Sequence, residues 1–232
     1  MNIDEFKGEV KKLGVDVDDI KLCLLERYYE LLVEWNEKMN LTAIIEKKDV
    51  YLKHFYDSLT ICKVIDLKCE DTFCDIGTGA GFPGIVIKIF FPHLKMTLID
   101  SLNKRINFLS FVCDELSLSD VTLVHGRAEE FARENRNSFD VVTARAVSSF
   151  NVLLEYSMPI VKDGKFFVAM RGNDDSETGT NALKLLNSII IKKECFNLPH
   201  ENSSRSVILV KKVGSISLKY PRKFSEIKKN PL

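Results

Sequence analysis

The chain has 232 residues, of which 45% are hydrophobic and 28% charged, a composition typical of a soluble globular protein with a sizeable core. No stretch approaches the roughly 18 apolar residues that a membrane-spanning helix requires. Residues 1–9 also lack the basic-then-apolar order of a secretory signal. These features argue against a membrane partner and predict a cytoplasmic protein, which we expect to be a single domain and a monomer.

Charge is distributed unevenly, although 33 basic and 33 acidic residues balance over the whole chain. Residues 1–40 carry ten acidic and six basic side chains, whereas residues 192–232 carry ten basic and three acidic ones. A local positive field attracts phosphate whatever the overall balance. A basic end is by itself more often a solvated tail, so this pattern alone does not establish a nucleic-acid partner.

The six cysteines predict no zinc or other metal site, because no two of them form a Cys-x-x-Cys pair. Several lie within apolar runs, as Cys74 does, where a thiol behaves as a small buried hydrophobe. We therefore expect reduced core cysteines in a reducing compartment.

The first part of the chain, residues 1–66, predicts a helical extension. Leu22, Leu25, Tyr29, Leu32 and Trp35 recur at three- and four-residue spacing and form one apolar stripe. The Asn-Leu-Thr sequence at residues 40–42 breaks this pattern, and a second helix is predicted over residues 50–65.

The pattern changes to alternating strands and helices over residues 67–212. The predicted strands span residues 72–76, 96–100, 121–125, 139–143 and 165–170, and the predicted helices between them span 83–91, 103–116, 128–133 and 150–159. Such alternation predicts an α/β fold with a parallel sheet covered on both faces. After a polar break at 172–179 and a helix near 181–186, the runs 189–196 and 207–212 predict an antiparallel edge. The result resembles the mostly parallel seven-stranded sheet of a Rossmann-like methyltransferase, and a basic tail follows at 213–232.

A glycine-rich loop follows the first predicted strand and opens the next predicted helix. It reads Asp-Ile-Gly-Thr-Gly-Ala-Gly-Phe-Pro-Gly over residues 75–84, and its candidate ligand-binding residues are Asp75, Gly77, Gly79, Gly81 and Phe82. Glycines let the backbone turn tightly and approach a ligand. A dinucleotide fingerprint would need glycine at position 82, and a P-loop would need Gly-Lys followed by Ser or Thr. The loop instead resembles the first motif of class I methyltransferases that use S-adenosylmethionine (AdoMet); another nucleotide or a purely structural turn are the alternatives.

Further candidates follow the ends of later strands, where an open α/β sheet borders its ligand crevice. Asp100 can accept the ribose hydroxyls of a nucleoside, or it can cap the following helix. Ala128 leaves room for an adenine ring, while the adjacent Glu129 also suits the first turn of a helix. Arg145 can hold a carboxylate or an RNA phosphate in bidentate fashion, or it can form an unrelated surface ion pair.

Taken together, these elements resemble the RsmG (GidB) family, which methylates N7 of a guanine in small-subunit ribosomal RNA. The resemblance covers almost the whole chain and is carried by the segments 39–44, 54–59, 79–84, 100–105, 126–129, 144–146, 220–223 and 229–232. It implies AdoMet as the cofactor and 16S ribosomal RNA, or the small-subunit particle, as the partner.

The resemblance also implies roles for individual residues. The implied AdoMet contacts are Gly77, Phe82, Asp100, Ser101, Leu102, Ala128, Glu129 and Arg145. The implied RNA contacts are Lys104, Arg127, Lys165, Arg205, Arg222 and Lys223, with Arg127 and Arg145 as the catalytic candidates. One segment departs from the family, which usually has Ala-Gly-Thr-Pro after Tyr-Pro-Arg-Lys, whereas residues 224–227 here are Phe-Ser-Glu-Ile. The conformation of this tail is therefore not predicted.

The sequence also fits the chemistry that the resemblance implies. N7 of guanine carries a lone pair and no proton, so its methylation requires no general base, and positioning of the base is the main contribution. Neither the Asn-Pro-Pro-Tyr sequence of amino-group methyltransferases nor a Pro-Cys nucleophile is present. Three alternatives remain open: a nicotinamide-dependent oxidoreductase, a non-catalytic module that binds AdoMet or RNA, and a methyltransferase for another RNA or a small molecule.

Overall fold

The computed structural model describes residues 1–145, 148–172 and 179–232. Its centre is one seven-stranded sheet with the order β3-β2-β1-β4-β5-β7-β6. The strands are β1 (Thr72–Ile76), β2 (Lys95–Asp100), β3 (Val121–His125), β4 (Phe139–Arg145), β5 (Val161–Arg171), β6 (Ser188–Asn197) and β7 (Ser204–Lys212). Ala146 and residues 173–178 of the predicted polar break lie outside the described residues.

The pairing of the strands confirms the predicted fold class. Strands β1 to β5 pair in parallel, whereas β7 pairs antiparallel with both β5 and β6. In register, Ile76 at the end of β1 lies beside Ile99 of β2 and Ala144 of β4. The carboxyl ends of these strands therefore meet at one edge of the sheet, and the residues that follow them converge there.

Helices cover both faces of the sheet. They are α1 (Ile3–Lys12), α2 (Asp19–Met39), α3 (Lys47–Val50), α4 (Asp57–Leu59), α5 (Gly84–Phe90), α6 (Asn103–Glu115), α7 (Ala128–Glu134), α8 (Phe150–Ser157), α9 (Thr180–Leu185) and α10 (Phe224–Lys229). Successive strand residues point to opposite faces, so Phe73 enters the core beneath α2, α5 and α6, while Cys74 enters the core beneath α7, α8 and α9. Cys23, Cys69 and Cys195 are exposed, so the expectation of core cysteines is wrong for these three. No helix among the described residues combines the length and hydropathy needed to cross a bilayer.

The predicted second helix over residues 50–65 is present but not regular. Between α3 and α4 the chain forms a π-helical turn at Tyr51–Tyr56, and α4 leads into a 3₁₀ turn at Thr60–Lys63. π-Helical turns often occur at functional sites, because the wider turn redirects the side chains on one side of the helix. Here the turn includes His54 and immediately precedes Asp57, two residues of the site described below.

The C-terminal segment is anchored and does not behave as a solvated tail. The Arg222 guanidinium and backbone N–H donate to the carboxylate of Glu155 on α8, which is fully buried. Arg136 donates to the carbonyl oxygens of Ile216 and Tyr220, and Ile227 of α10 is buried in the core beneath α8. Contacts on both sides of residues 223–226 thus hold the segment against the sheet.

Candidate functional site

The glycine-rich loop leaves β1 and turns into α5 at the carboxyl edge of the sheet. Gly77, Gly79 and Gly81 all have positive φ, between 64° and 97°. Such a backbone is costly for residues with a Cβ, which explains three glycines at alternate positions. Helix α5 begins at Gly84, one residue later than predicted. A Cβ at Gly84 would come within 2.9 Å of the Asp75 carboxylate, so this glycine permits close packing of helix on strand.

The N-terminal helix α2 packs directly on this loop. The Tyr28 hydroxyl donates a hydrogen bond to the carbonyl oxygen of Ala80, and its ring lies 5.4 Å from the Phe82 ring. A Cβ at Gly81 would lie only 2.6 Å from the same hydroxyl. Helix α2 therefore limits the positions that the loop backbone can adopt.

Asp75 acts behind the loop and borders neither of the cavities described below. Its Oδ2 accepts hydrogen bonds from the Thr78 hydroxyl at 2.7 Å and from the Gly84 N–H at 3.0 Å. Burial raises the pKa of this carboxyl to about 6, against the opposing effect of these two donors. Its Oδ1 has no hydrogen-bond partner among the described residues. A buried acceptor without a partner is costly, so this oxygen adds to the cost of burying the carboxylate behind the loop.

Asp100 ends β2 with its carboxylate directed to the loop. Oδ2 accepts from the Gly79 N–H at 3.0 Å and from Arg105 Nη1 at 3.1 Å, and Oδ1 accepts from the Leu102 N–H at 2.9 Å. The following helix is capped at Leu102 without a side-chain hydrogen bond, so Asp100 is not its N-cap. A carboxylate offers about four acceptor positions, which leaves capacity for a ribose hydroxyl.

Two adjoining cavities open around these residues. The larger has a volume of about 730 Å³ and is bordered by the glycine loop, by the turn that contains His54, and by the ends of β4, β5 and β7. The smaller, about 210 Å³, is bordered by Ile76, Ile99, Ala128, Glu129 and Tyr156, among others. Gly77, Asp100 and Ser101 border both cavities. An elongated ligand can therefore run from one into the other past the Asp100 carboxylate.

The larger cavity is lined by cationic side chains. Among the described residues, five cations and two carboxylates border it: Lys53, Arg105, Arg145, Arg171, Arg205, Asp57 and Asp100. Asp57, only 5% exposed, accepts a hydrogen bond from Arg145 Nη1 at 3.1 Å and from Arg205 Nε at 3.1 and 3.2 Å. One buried carboxylate thus orients two guanidinium groups. Their remaining N–H donors make the cavity suited to phosphate or carboxylate groups.

His54 lies at the same wall in its neutral form. Its ring stacks on Phe82 with centroids 4.4 Å apart, and burial together with the Arg145 charge lowers its pKa to about 3. Nε2 lies 3.0 Å from the Thr42 hydroxyl and Nδ1 lies 3.2 Å from the Lys53 carbonyl oxygen. Arg145 Nη2 also lies 3.5 Å from Nδ1, so both ring nitrogens of the neutral form have hydrogen-bonding neighbours. Phe82 itself is nearly buried, and Tyr28, Phe55 and His54 pack around it.

The structure brings most of the predicted cofactor residues together, and it separates the predicted RNA residues. Gly77, Gly79, Phe82, Asp100, Ser101, Ala128, Glu129 and Arg145 border the two cavities, whereas Asp75, Gly81 and Leu102 support the loop or the Asp100 carboxylate from outside. Arg205 borders the larger cavity and Arg127 the smaller one. Lys104 donates to the Met39 carbonyl oxygen, and Lys223 is exposed.

Two predicted RNA contacts are engaged elsewhere. Lys165 forms an ion pair with Glu70, and its neighbour Phe166 pairs with Val141 early in β4, at the edge of the sheet opposite the cavities. Arg222 is paired with the buried Glu155. Both partner carboxylates are buried, so either cation would leave a buried carboxylate without its partner if it moved away from the pair.

Sequence reasoning did not assign roles to His54, Asp57, Thr78 or Arg105, although all four border the larger cavity. The signal for two of them was present. His54 and Asp57 are three residues apart in a helical segment, which places them on one face. Both lie in the 54–59 segment that resembles the family, but their partners Arg145 and Arg205 are distant in sequence.

Comparison with known families establishes the relationship of this chain. The family model described as rRNA small subunit methyltransferase G (GidB) matches residues 21–208, from α2 into β7. The chain belongs to this family. The family, the methyltransferase class and AdoMet as the cofactor, all predicted from the sequence, are thereby confirmed.

Individual relatives and structures agree with this assignment. Ribosomal RNA small subunit methyltransferase G of Bacillus licheniformis is 48% identical over 237 residues, covering 100% of this chain and 99% of the relative. The protein of the same name from Exiguobacterium sibiricum is also 48% identical, with both chains fully covered. Among solved structures, the precorrin-6y C5,15-methyltransferase of Geobacter metallireducens matches with a TM-score of 0.53 at 17% identity, covering 67% of this chain and 87% of that one. TYW2 of M. jannaschii in complex with AdoMet gives 0.51 at 13% identity, covering 61% and 67%. These two likenesses concern the fold alone.

Proposed function

We propose that the protein transfers the methyl group of AdoMet to N7 of a guanine in small-subunit (16S) ribosomal RNA. The observation that carries this proposal is the pair of cavities on either side of the Asp100 carboxylate: Ile76, Ile99 and Ala128 border the smaller one, and five cations among the described residues border the larger one. The first suits a nucleoside cofactor, and the second suits a polyanionic substrate.

The residues of the site fit AdoMet. The backbone at Gly77 has no side chain to obstruct a ligand, Asp100 retains acceptor capacity for the ribose, and Ala128 borders a cavity with apolar walls. The cations of the larger cavity offer donors for the methionine carboxylate. When bound, AdoMet supplies an electrophilic methyl group on a sulfonium centre.

Arg145 is assigned to an anionic group rather than to the base itself. The purine gains positive charge during methylation at N7, and a guanidinium beside it would oppose that change. Arg145 is fixed by Asp57 and by the Lys53 carbonyl oxygen, so its other donors are held in a defined direction. It therefore holds either the methionine carboxylate or an RNA phosphate, and Arg205, bound to the same Asp57, extends this anion-binding wall.

The state of the titratable groups agrees with chemistry that needs no general base. N7 has no proton to remove, so the enzyme has to position the base and to exclude water. His54 is neutral, and both of its ring nitrogens have partners. Asp57 and Asp100 each accept from arginine. The side chains of the cavity thus orient anionic groups and leave proton transfer out of the reaction.

The experiment is methyl transfer from isotopically labelled AdoMet to small subunits, and to naked RNA, from cells that lack this gene. Label recovered as 7-methylguanosine after digestion to nucleosides supports the proposal. Arg145→Ala is expected to lower kcat/KM at least about a hundredfold, in line with the loss of a charge-assisted bidentate contact of roughly 3 kcal/mol.

Arg27→Ala provides the matched control, because Arg27 forms exposed ion pairs with Glu30 and Glu115 away from the cavities. Its turnover is expected to equal that of the unaltered protein. Label in a nucleoside other than 7-methylguanosine would refute the N7 assignment. Normal AdoMet affinity together with normal turnover in Arg145→Ala would refute the role of Arg145.

A further inference from the structure

The C-terminal segment brings an aromatic side chain to the smaller cavity. Ile76, Ile99, Ala128, Tyr156 and Phe224 provide apolar walls there, and Phe224 is contributed by α10. The polar groups of Asp100 and Ser101 lie on the side shared with the larger cavity. Arg127, Glu129 and Ser148 also border this cavity, so its lining combines apolar walls with polar groups, and this combination suits a purine, which has apolar faces and polar edges.

The position of Phe224 is held from both sides. Two residues before it, Arg222 donates to the buried Glu155 through its backbone N–H at 2.8 Å and through its guanidinium at 2.9 and 2.7 Å. Three residues after it, Ile227 is 1% exposed within the core. Because the chain can reach no more than about 3.6 Å per residue, these two anchors confine Phe224 to the rim of the cavity.

The Phe224 ring is available to a ligand. The residue is 41% exposed, so it contributes less to the core than its size allows. The Arg127 guanidinium carbon lies 4.7 Å from the centre of the ring, within the range of a cation–π contact. Arg127 itself precedes α7 and borders the same cavity. The ring is therefore held in place beside the opening without being buried.

We propose that Phe224 closes the adenine end of the AdoMet site by packing its ring against the purine, and that Arg127 is a positioning residue for that ring. The inference rests on the proposed AdoMet-dependent function and adds to it a cofactor contact from the C-terminal helix. It also moves Arg127 from the reacting base to the opposite end of the cofactor.

The test is calorimetric titration of the full chain with AdoMet, S-adenosylhomocysteine and adenosine. Phe224→Ala is expected to raise all three Kd values by a common factor of about ten, within the range measured for loss of a base–aromatic contact. Phe224→Tyr, which keeps the ring, is expected to stay within about twofold of the unaltered protein. The control is Leu218→Ala, since Leu218 is 85% exposed in the same C-terminal segment.

A second readout reports contact directly. The chain has one tryptophan, Trp35 of α2, which packs against Phe108 and Phe111 of α6. In a Trp35→Phe, Phe224→Trp double variant, adenosine is expected to change the fluorescence of the introduced indole. Unchanged fluorescence would contradict the proposed contact.

The outcomes separate this inference from the proposed function. Equal affinities in Phe224→Ala and the unaltered protein, with RNA methylation intact, would refute the contact and leave the function standing. An equal loss of affinity in Leu218→Ala would also refute it, because the effect would then belong to the segment as a whole. Failure of the unaltered protein to bind AdoMet would overturn both.

Discussion

The contact between α2 and the cofactor loop predicts that Gly81→Ala is strongly destabilising. Gly81 has a φ of +97°, a conformation that costs a residue with a Cβ about 1–3 kcal/mol. The new Cβ would also lie 2.6 Å from both the Tyr28 hydroxyl and Ile85 Cγ1. Overpacking of this kind costs about 1–3 kcal/mol, so the free energy of unfolding is expected to fall by about 4 kcal/mol in total.

A double-mutant cycle with Tyr28→Phe tests whether the Tyr28 hydroxyl obstructs a Cβ at position 81. Tyr28→Phe alone removes the hydrogen bond to the Ala80 carbonyl oxygen, at a cost of about 1–3 kcal/mol because that acceptor is buried. In the Tyr28→Phe background the hydroxyl oxygen is absent, so the Cβ introduced at position 81 has one close contact fewer. Gly81→Ala is therefore expected to cost about 1 kcal/mol less there than in the unaltered protein.

The assay is urea unfolding of the four proteins, with AdoMet affinity measured alongside. We expect Gly81→Ala to weaken AdoMet binding as well, because the displaced backbone also carries Gly79, which donates to Asp100. Gly81→Ala with unchanged stability would show that the loop can relax away from α2. Strict additivity in the cycle would show that the Tyr28 hydroxyl does not constrain position 81.

Two further predictions concern the wall of the larger cavity. The pKa of His54 is lowered to about 3, so as the pH falls below the ordinary value near 6.5 the unfolded chain binds the extra proton and the folded chain does not. The free energy of unfolding is therefore expected to decrease by about 2 kcal/mol from pH 7.5 to pH 5. Unfolding measurements at the two pH values should show a smaller decrease for His54→Gln. Asp57→Asn leaves Arg145 and Arg205 without their shared carboxylate and is expected to lower the free energy of unfolding by about 3 kcal/mol, at the low end for buried ion pairs because both arginines are partly exposed. A second substitution, Arg205→Gln, should then cost little. Additive losses in chemical unfolding would contradict the shared role of the Asp57 carboxylate.

Much of the fold could be predicted from local patterns. Strands β1 and β3 begin and end where the apolar runs do, and α6 differs from its prediction by a single residue. These elements are readable because hydrophobic periodicity is a property of neighbouring residues. β5 is longer than predicted, beginning at Val161 rather than at residue 165, because the polar residues 162–165 lie in an irregularity between the pairings of Val161 and Phe166 with β4.

The site was predictable only where it depends on the backbone or on a strand end. The glycine loop, Asp100 and Arg145 converge because the carboxyl ends of parallel strands meet at one edge of a sheet, and that rule can be applied to the sequence alone. The partners of these residues were not predictable. Asp57 and Arg205 are 148 positions apart, and only the path of β7 back beside β5 brings them together.

The charged residues show most clearly what could not be predicted from the sequence. As a sequence, the C-terminal part appeared as ten basic side chains, a general attraction for phosphate. The tertiary structure pairs Arg222 with the buried Glu155 and places Phe224 beside the smaller cavity.

The sequence by itself determined most strands and helices of the sheet region, the cofactor loop and the family, because these follow from local spacing and from motifs. Only the tertiary structure decided which charges face a ligand and which are neutralised inside the protein. The physical reason is that an ion pair depends on distance and burial in space, and neither follows from position along the chain.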